Sequence, residues 1–199
     1  MKIAVFGSGR GSNFEALLRA KIPNADFSLV ISNKKDARIL ELGSENGIKT
    51  KAFKSSEFSE ENENIVLDFL LENGIELIVL AGFLRKISAT IIQKYSNKII
   101  NIHPALLPSF GGIGMYGKYI HEAVLKSGTQ FSGPTVHFVN ENYDEGPIIL
   151  QETVPVLFED STDDLAKRVL EVEHRIFAKA LDLVINGKFE IKGKRVKFC

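Results

Sequence analysis

Over the first hundred residues, short β-branched runs alternate with helical patterns, and this rhythm limits the fold more than any other feature of the chain. Lys2–Phe6, Phe27–Ile31, Lys49–Phe53, Glu76–Ala81 and Lys98–Ile102 read as strands. Between them, Asn13–Lys21, Asp36–Asn46, Ser59–Asn73 and Ser88–Tyr95 read as helices. Strands separated by helices are joined by crossovers, so the expected fold is α/β: an open, mostly parallel, Rossmann-like sheet flanked by helices. Glu76-Leu77-Ile78-Val79-Leu80-Ala81 is apolar at all but its first position, as a strand covered on both faces must be.

The texture changes after Asn101. Pro104, Pro108 and the glycines at 111, 112, 114 and 117 mark a long loop. A helix over Lys118–Lys126 should follow, then strands Thr135–Val139 and Pro147–Val154 around the turn N-E-N-Y-D-E-G. Asp160–Asn186 reads as a long C-terminal helix, with Asp164, Arg168, Glu171, Arg175, Lys179, Asp182 and Asn186 forming one polar stripe.

Composition narrows the class. Lys+Arg and Asp+Glu both number 25 in 199 residues, a balance without the basic excess of a dedicated nucleic-acid binder. One cysteine, Cys199, makes neither a disulfide framework nor a metal cluster. The apolar start of M-K-I-A-V-F-G-S-G-R is too short for a signal peptide or a membrane span. The expectation is a soluble cytoplasmic protein with no membrane or nucleic-acid partner.

Gly7-Ser8-Gly9-Arg10-Gly11-Ser12-Asn13 follows the first strand and opens the first helix. It has serine where a dinucleotide fingerprint needs its third glycine, and the second strand ends Ile31-Ser32-Asn33 without an acid. No Gly-Lys-Ser/Thr follows to make a P-loop. Glycines beside a helix N-terminus still favour an anion such as phosphate. Ser12 and Glu15 equally read as a capping box on a plain strand-to-helix turn. The segment alone leaves both open.

His121 and His174 lie in helical patterns and His137 in a strand, where histidines are usually packed or solvated. His103 stands apart. It lies just past the end of a buried parallel strand, where open α/β sheets place ligands, and Pro104 keeps it from helical angles. Asn101 shares its face in an extended segment. An amide that steadies an oxyanion beside an imidazole that moves protons suits carbonyl chemistry, although both could simply satisfy loop backbone. Asp144 falls in a turn, where Asp is common for local reasons. Glu173 lies about 160° from the centre of the polar stripe at 100° per residue. It therefore puts a carboxylate on the apolar face, which is costly unless it is paired, hydrogen-bonded or bound to a ligand.

G-S-G-R-G-S-N, A-G-F-L-R-K-I (Ala81–Ile87), N-I-H-P-A-L-L-P (Asn101–Pro108) and S-G-P-T-V-H-F-V-N-E-N-Y-D-E-G-P-I-I-L-Q (Ser132–Gln151) occur in this order. Together they resemble the folate-dependent phosphoribosylglycinamide formyltransferase family, over essentially the whole chain. The resemblance implies the formyltransferase fold and one domain over 1–199, with 1–100 a nucleotide- or phosphate-binding half and 101–199 a catalytic and folate-binding half. It implies formyl transfer from 10-formyltetrahydrofolate, as cosubstrate and without a metal, to the primary amine of glycinamide ribonucleotide in purine biosynthesis. It assigns Gly11, Ser12 and Asn13 to the phosphate and Glu173 to the ribonucleotide. Asn101, His103 and Asp144 become the catalytic residues. Leu84, Arg85, Lys86 and Ile87, with Asn101 and with Asn140, Glu141, Asn142, Tyr143 and Asp144, become walls of the folate pocket. His137 gets a supporting role. The partners implied are two small molecules; monomer and homodimer both stay open.

Two stretches depart from the family pattern. Residue 111 is glycine where many members have proline, in a loop a few residues longer than usual. Ser59-Glu60-Glu61-Asn62 lacks an arginine that some relatives direct at the folate glutamate tail. The rival readings are a tRNA or sugar-nucleotide formyltransferase, a formyl-folate hydrolase, and a non-catalytic nucleotide-binding module. The first two normally carry a further domain.

Overall fold

The computed structural model describes residues 1–59 and 62–199, which form two compact units, Met1–Asn101 and Ile102–Cys199. The fold is α/β, a mixed, mostly parallel sheet flanked by helices and ending in a long helix and a hairpin.

In the first unit, β1 (Lys2–Phe6), β2 (Asp26–Ser32), β3 (Lys49–Ala52), β4 (Leu77–Leu80) and the start of β5 (Ile99–His103) lie in the order β5-β4-β1-β2-β3. Each neighbouring pair is parallel. α1 (Ser12–Arg19), α2 (Arg38–Glu45), α3 (Glu63–Glu72) and α4 (Ala89–Lys94) make the crossovers. Ile3 to Phe6 and Leu77 to Leu80 are buried throughout, which accounts for their continuous apolar runs. Phe6, Phe53, Phe58, Phe69 and Phe83 interlock edge-on or tilted, with ring centroids between 5.1 and 6.3 Å apart. Phe58 reaches this cluster from a 3-10 turn, Ser55–Phe58, that the sequence pattern does not announce. Of the polar stretch 59–62, Glu60 and Glu61 lie outside the described residues.

The second unit begins within β5. α5 (Lys118–Ser127) leads to β6 (Phe131–Ser132) and β7 (Thr135–Phe138); β8 (Ile148–Gln151) and β9 (Val154–Pro155) follow, then α6 (Thr162–Asn186). β10 (Phe189–Lys192) and β11 (Arg195–Phe198) close the chain. β7 and β8 are antiparallel, so the turn between them carries residues 139 to 147. β11 lies parallel to β8 and antiparallel to β10. The run expected as one strand over Pro147–Val154 is two: β8 pairs with β7, while β9 turns away to pair with β6.

α6 is capped by reciprocal bonds, Asp164 N–H to Ser161 Oγ and Ser161 N–H to the Asp164 carboxylate. Its apolar face, Leu165, Val169, Val172, Ile176, Phe177, Ala180, Leu181 and Val184, is buried. Glu173 is buried with it, at 7% exposure. Among the described residues no helix is long and apolar enough to cross a membrane.

Candidate active site

The glycine loop ends β1 and starts α1 at Ser12 rather than Asn13. Its cap is Gly11, in the left-handed region at φ 82°, where a side chain would be strained and a Cβ would stand 3.1 Å from Ile39. The capping box expected of Ser12 and Glu15 does not form: the cap has no side-chain bond, and Glu15 pairs with Arg19 instead. The N–H of Glu15 bonds the Gly11 carbonyl, the first bond of the helix, so the N–H groups of the turn before it point out of the helix N-terminus. Such groups favour an anion.

Leu84, Arg85 and Lys86 are exposed on the segment after β4, between buried Phe83 and Ile87. The Leu84 N–H donates to Ser8 Oγ at 2.9 Å, so this segment and the glycine loop are tied together within the first unit.

His103 is the last residue of β5 rather than the first beyond it, because Pro104 favours an extended residue before it. Asn101, half-buried two positions earlier on the same strand, shares its face and stands opposite Leu80 of β4. His103 is buried, and its Nε2–H donates to the Phe110 carbonyl at 2.9 Å. Its Nδ1 lies 3.6 Å from Asp144 Oδ2. Asp144 holds this position on the β7–β8 turn with a left-handed backbone, φ 55°, a conformation that short polar side chains tolerate. The same oxygen accepts the Gly112 N–H at 2.9 Å. Gly111 lies so close that a Cβ there would stand 2.6 Å from Leu107 Cδ2 and 3.2 Å from Asp144 Cβ, which gives the glycine at 111 a packing reason.

His137 is not a merely packed strand histidine. Its Nδ1–H donates to the Phe138 carbonyl at 2.8 Å, and its Nε2 lies 3.7 Å from the other Asp144 oxygen, Oδ1. Asp144 thus stands between two buried imidazoles. Burial pushes the His137 pKa down, opposed by the Phe138 carbonyl and the Asp144 charge. His121, on α5, is also buried; burial first, then His103, pushes its pKa down, and its Nδ1 has no hydrogen-bond partner among the described residues. The helical pattern around His121 and the alternation around His137 identified both only as core positions. The charges they face come from other elements.

Of the remaining expected residues, Asn140 accepts the Asn142 N–H at 3.1 Å and shapes the turn, while Glu141 and Tyr143 are exposed on it. Glu173 lies on the buried face of α6. A buried imidazole beside a carboxylate at the end of a strand is a pair of groups suited to moving protons in acyl chemistry.

Residues 1–181 match the formyl transferase family, and the chain belongs to it. Within that family it resembles proteins named phosphoribosylglycinamide formyltransferase. It is 41% identical over 196 residues to the chloroplastic protein of that name from Arabidopsis thaliana, covering 95% of this chain and 67% of that one. To the Bacillus subtilis (strain 168) protein it is 38% identical over 185 residues, covering 90% of this chain and 92% of that one. The crystal structure of glycinamide ribonucleotide transformylase 1 from Symbiobacterium toebii superposes with a TM-score of 0.91 at 36% identity, covering 100% of this chain and 93% of that one. Other curated relatives are longer; the chain spans 60% of one and 20% of another.

Proposed function

We propose that the chain transfers a formyl group from 10-formyltetrahydrofolate to the primary amine of glycinamide ribonucleotide, a step of purine biosynthesis, and releases tetrahydrofolate. The amine nitrogen attacks the formyl carbon, and the carbonyl becomes a tetrahedral oxyanion. The Asn101 amide donates to that oxygen, and so does His103 when protonated, once its Nε2–H leaves the Phe110 carbonyl. Collapse breaks the bond from carbon to folate N10, and the proton lost by the amine passes to N10, with Asp144 and His103 as the relay. Gly11, Ser12 and Asn13 hold the phosphate through helix N–H groups, and Glu173 accepts from the ribonucleotide. Leu84 to Ile87 and Asn140 to Asp144 wall the folate. The observation that carries this reading is the Asp144 carboxylate beside His103 on a strand that also presents Asn101, in a chain of the formyl transferase family.

The test is an assay with both substrates. Tetrahydrofolate and N-formyl ribonucleotide are expected in equal amounts. Folate release at a comparable rate without ribonucleotide would identify a hydrolase and overturn the proposal.

A further inference from the structure

We infer that Ser8 is a positioning residue that couples the two substrate segments of the first unit, the glycine loop and Leu84–Ile87. The inference rests on the reading above, in which the ribonucleotide phosphate meets the loop and the folate meets Leu84–Ile87. Ser8 is 4% exposed, and nothing in the proposed chemistry uses it. Its hydroxyl is engaged as both donor and acceptor: Oγ–H donates to Asn33 Oδ1 at 2.6 Å, and Oγ accepts the Leu84 N–H at 2.9 Å. Its main-chain N–H donates to the Gly82 carbonyl at 3.0 Å. One residue of the loop therefore makes two bonds to the turn that begins the folate segment.

The residues on either side are anchored elsewhere. The Gly7 N–H donates to the Ile31 carbonyl, and the Gly9 carbonyl accepts the Ile39 N–H. Those bonds fix the loop to β2 and α2 but give it no grip on residues 82 to 84. Phe83 and Ile87 are packed on either side, but Leu84 is 52% exposed, so its own side chain does not fix the main chain at the start of the folate segment. The Leu84 main chain is held there by the Ser8 hydroxyl, which Asn33 orients by accepting its hydrogen bond. A hydroxyl with directed donor and acceptor cannot shift relative to Leu84 without straining a bond. Displacement of the loop by a phosphate is then felt at the folate wall, and thermodynamics requires the converse. Glycine or alanine at position 8 would keep the Gly82 bond and lose this link.

The test uses glycinamide ribonucleotide with tetrahydrofolate, a pair that cannot react because neither carries the formyl group. Each is titrated calorimetrically into the native protein alone and with the other saturating. Each is expected to tighten the other about fivefold or more, the low end of typical coupling between sites. In Ser8→Ala, which keeps only the main-chain bond to Gly82, the mutual tightening should fall to less than half, while both ligands still bind and the catalytic constant at saturation stays within the range of the native protein. Ser8→Thr, which keeps the hydroxyl, should restore the tightening. If the threonine variant does not fold, Asn33→Ala, which removes only the group that orients the hydroxyl, should weaken it. Coupling retained in Ser8→Ala, or a lowered melting temperature with coupling unchanged, makes Ser8 merely structural and overturns the inference. A native protein that binds both ligands without coupling overturns this inference alone; one that binds neither overturns the proposed function as well.

Discussion

Asp144 presents one oxygen to each of two buried imidazoles, at 3.6 Å from His103 and 3.7 Å from His137. Both distances suit an attraction between charges and are too long for hydrogen bonds. Each ring spends its other nitrogen on a backbone carbonyl, which fixes its orientation. A carboxylate held this way can attract a proton on either ring without being consumed by one of them. His103→Ala should therefore lower turnover by about 10²-fold or more, the usual contribution of a positioned acid–base group, and leave ribonucleotide affinity largely intact. Steady-state kinetics beside a binding titration would check this, and near-native turnover would remove His103 from the chemistry. The motif around Asn101 and His103 made their shared face at a strand end legible before any fold was known. The position of His137 was not legible, because it depends on the left-handed backbone at Asp144 that turns a loop carboxylate back toward β7.

At the scale of elements, β7 and β8 hold the segment that follows His103. Thr135, fully buried, stands opposite Gln151 in the β7–β8 register. Its hydroxyl donates to the Ala105 carbonyl at 2.6 Å and accepts the Leu107 N–H at 3.0 Å, while Gln151 Nε2 donates to both Thr135 Oγ1 and the Leu107 carbonyl. Thr135→Val keeps the shape and leaves a buried N–H and a buried carbonyl without these partners. At roughly 1–3 kcal/mol for each of the two unsatisfied groups, a loss of about 2–6 kcal/mol is expected. At roughly 2–4 °C per kcal/mol for a chain of this size, the melting temperature should fall by about 4–24 °C. Scanning calorimetry of the pair would check it, and an unchanged melting temperature would mean that the segment is held by packing alone. The strand and helix order of the first hundred residues was readable because its central strands, β1 and β4, are continuous apolar runs set among helical patterns. Short elements were not. β6 and β9 have two residues each, too few to show a period, and pair only through a chain reversal. The hairpin β10–β11 does alternate, as Phe189-Glu190-Ile191-Lys192 and Arg195-Val196-Lys197-Phe198 around Gly193, but its many cations make the stretch look like a solvated tail.

For the whole molecule, two buried histidines, His121 and His137, contribute to how stability responds to acid. Burial holds the pKa values of both His137 and His121 below 6.5 in the folded chain. The unfolded chain therefore binds these two protons first as the pH falls, and protonation favours unfolding. Their neutral forms contribute stability that is complete above the unfolded value and is lost as the pH drops through 6.5 toward the folded values. Asp160 acts in the same sense further down: hydrogen bonding from Arg168 holds its carboxyl below 3.8, so its contribution survives to that range and disappears beneath it. Each histidine alone can change the unfolding free energy by about 1.4 kcal/mol per pH unit while it is protonated only in the unfolded chain. His121 has the simpler surroundings, since its Nδ1 has no partner to lose among the described residues. We expect the melting temperature to fall between pH 7 and pH 5.5 and the fall to be shallower in His121→Gln, which cannot titrate. At pH 7.5, where both histidines are neutral in either state, the variant should differ from the native protein only by a constant offset. Denaturant melts of the two proteins across that pH range would show whether the slopes separate. Parallel slopes would mean that His121 takes up its proton equally in the folded and unfolded chains, and that its burial is not what makes the protein acid-sensitive.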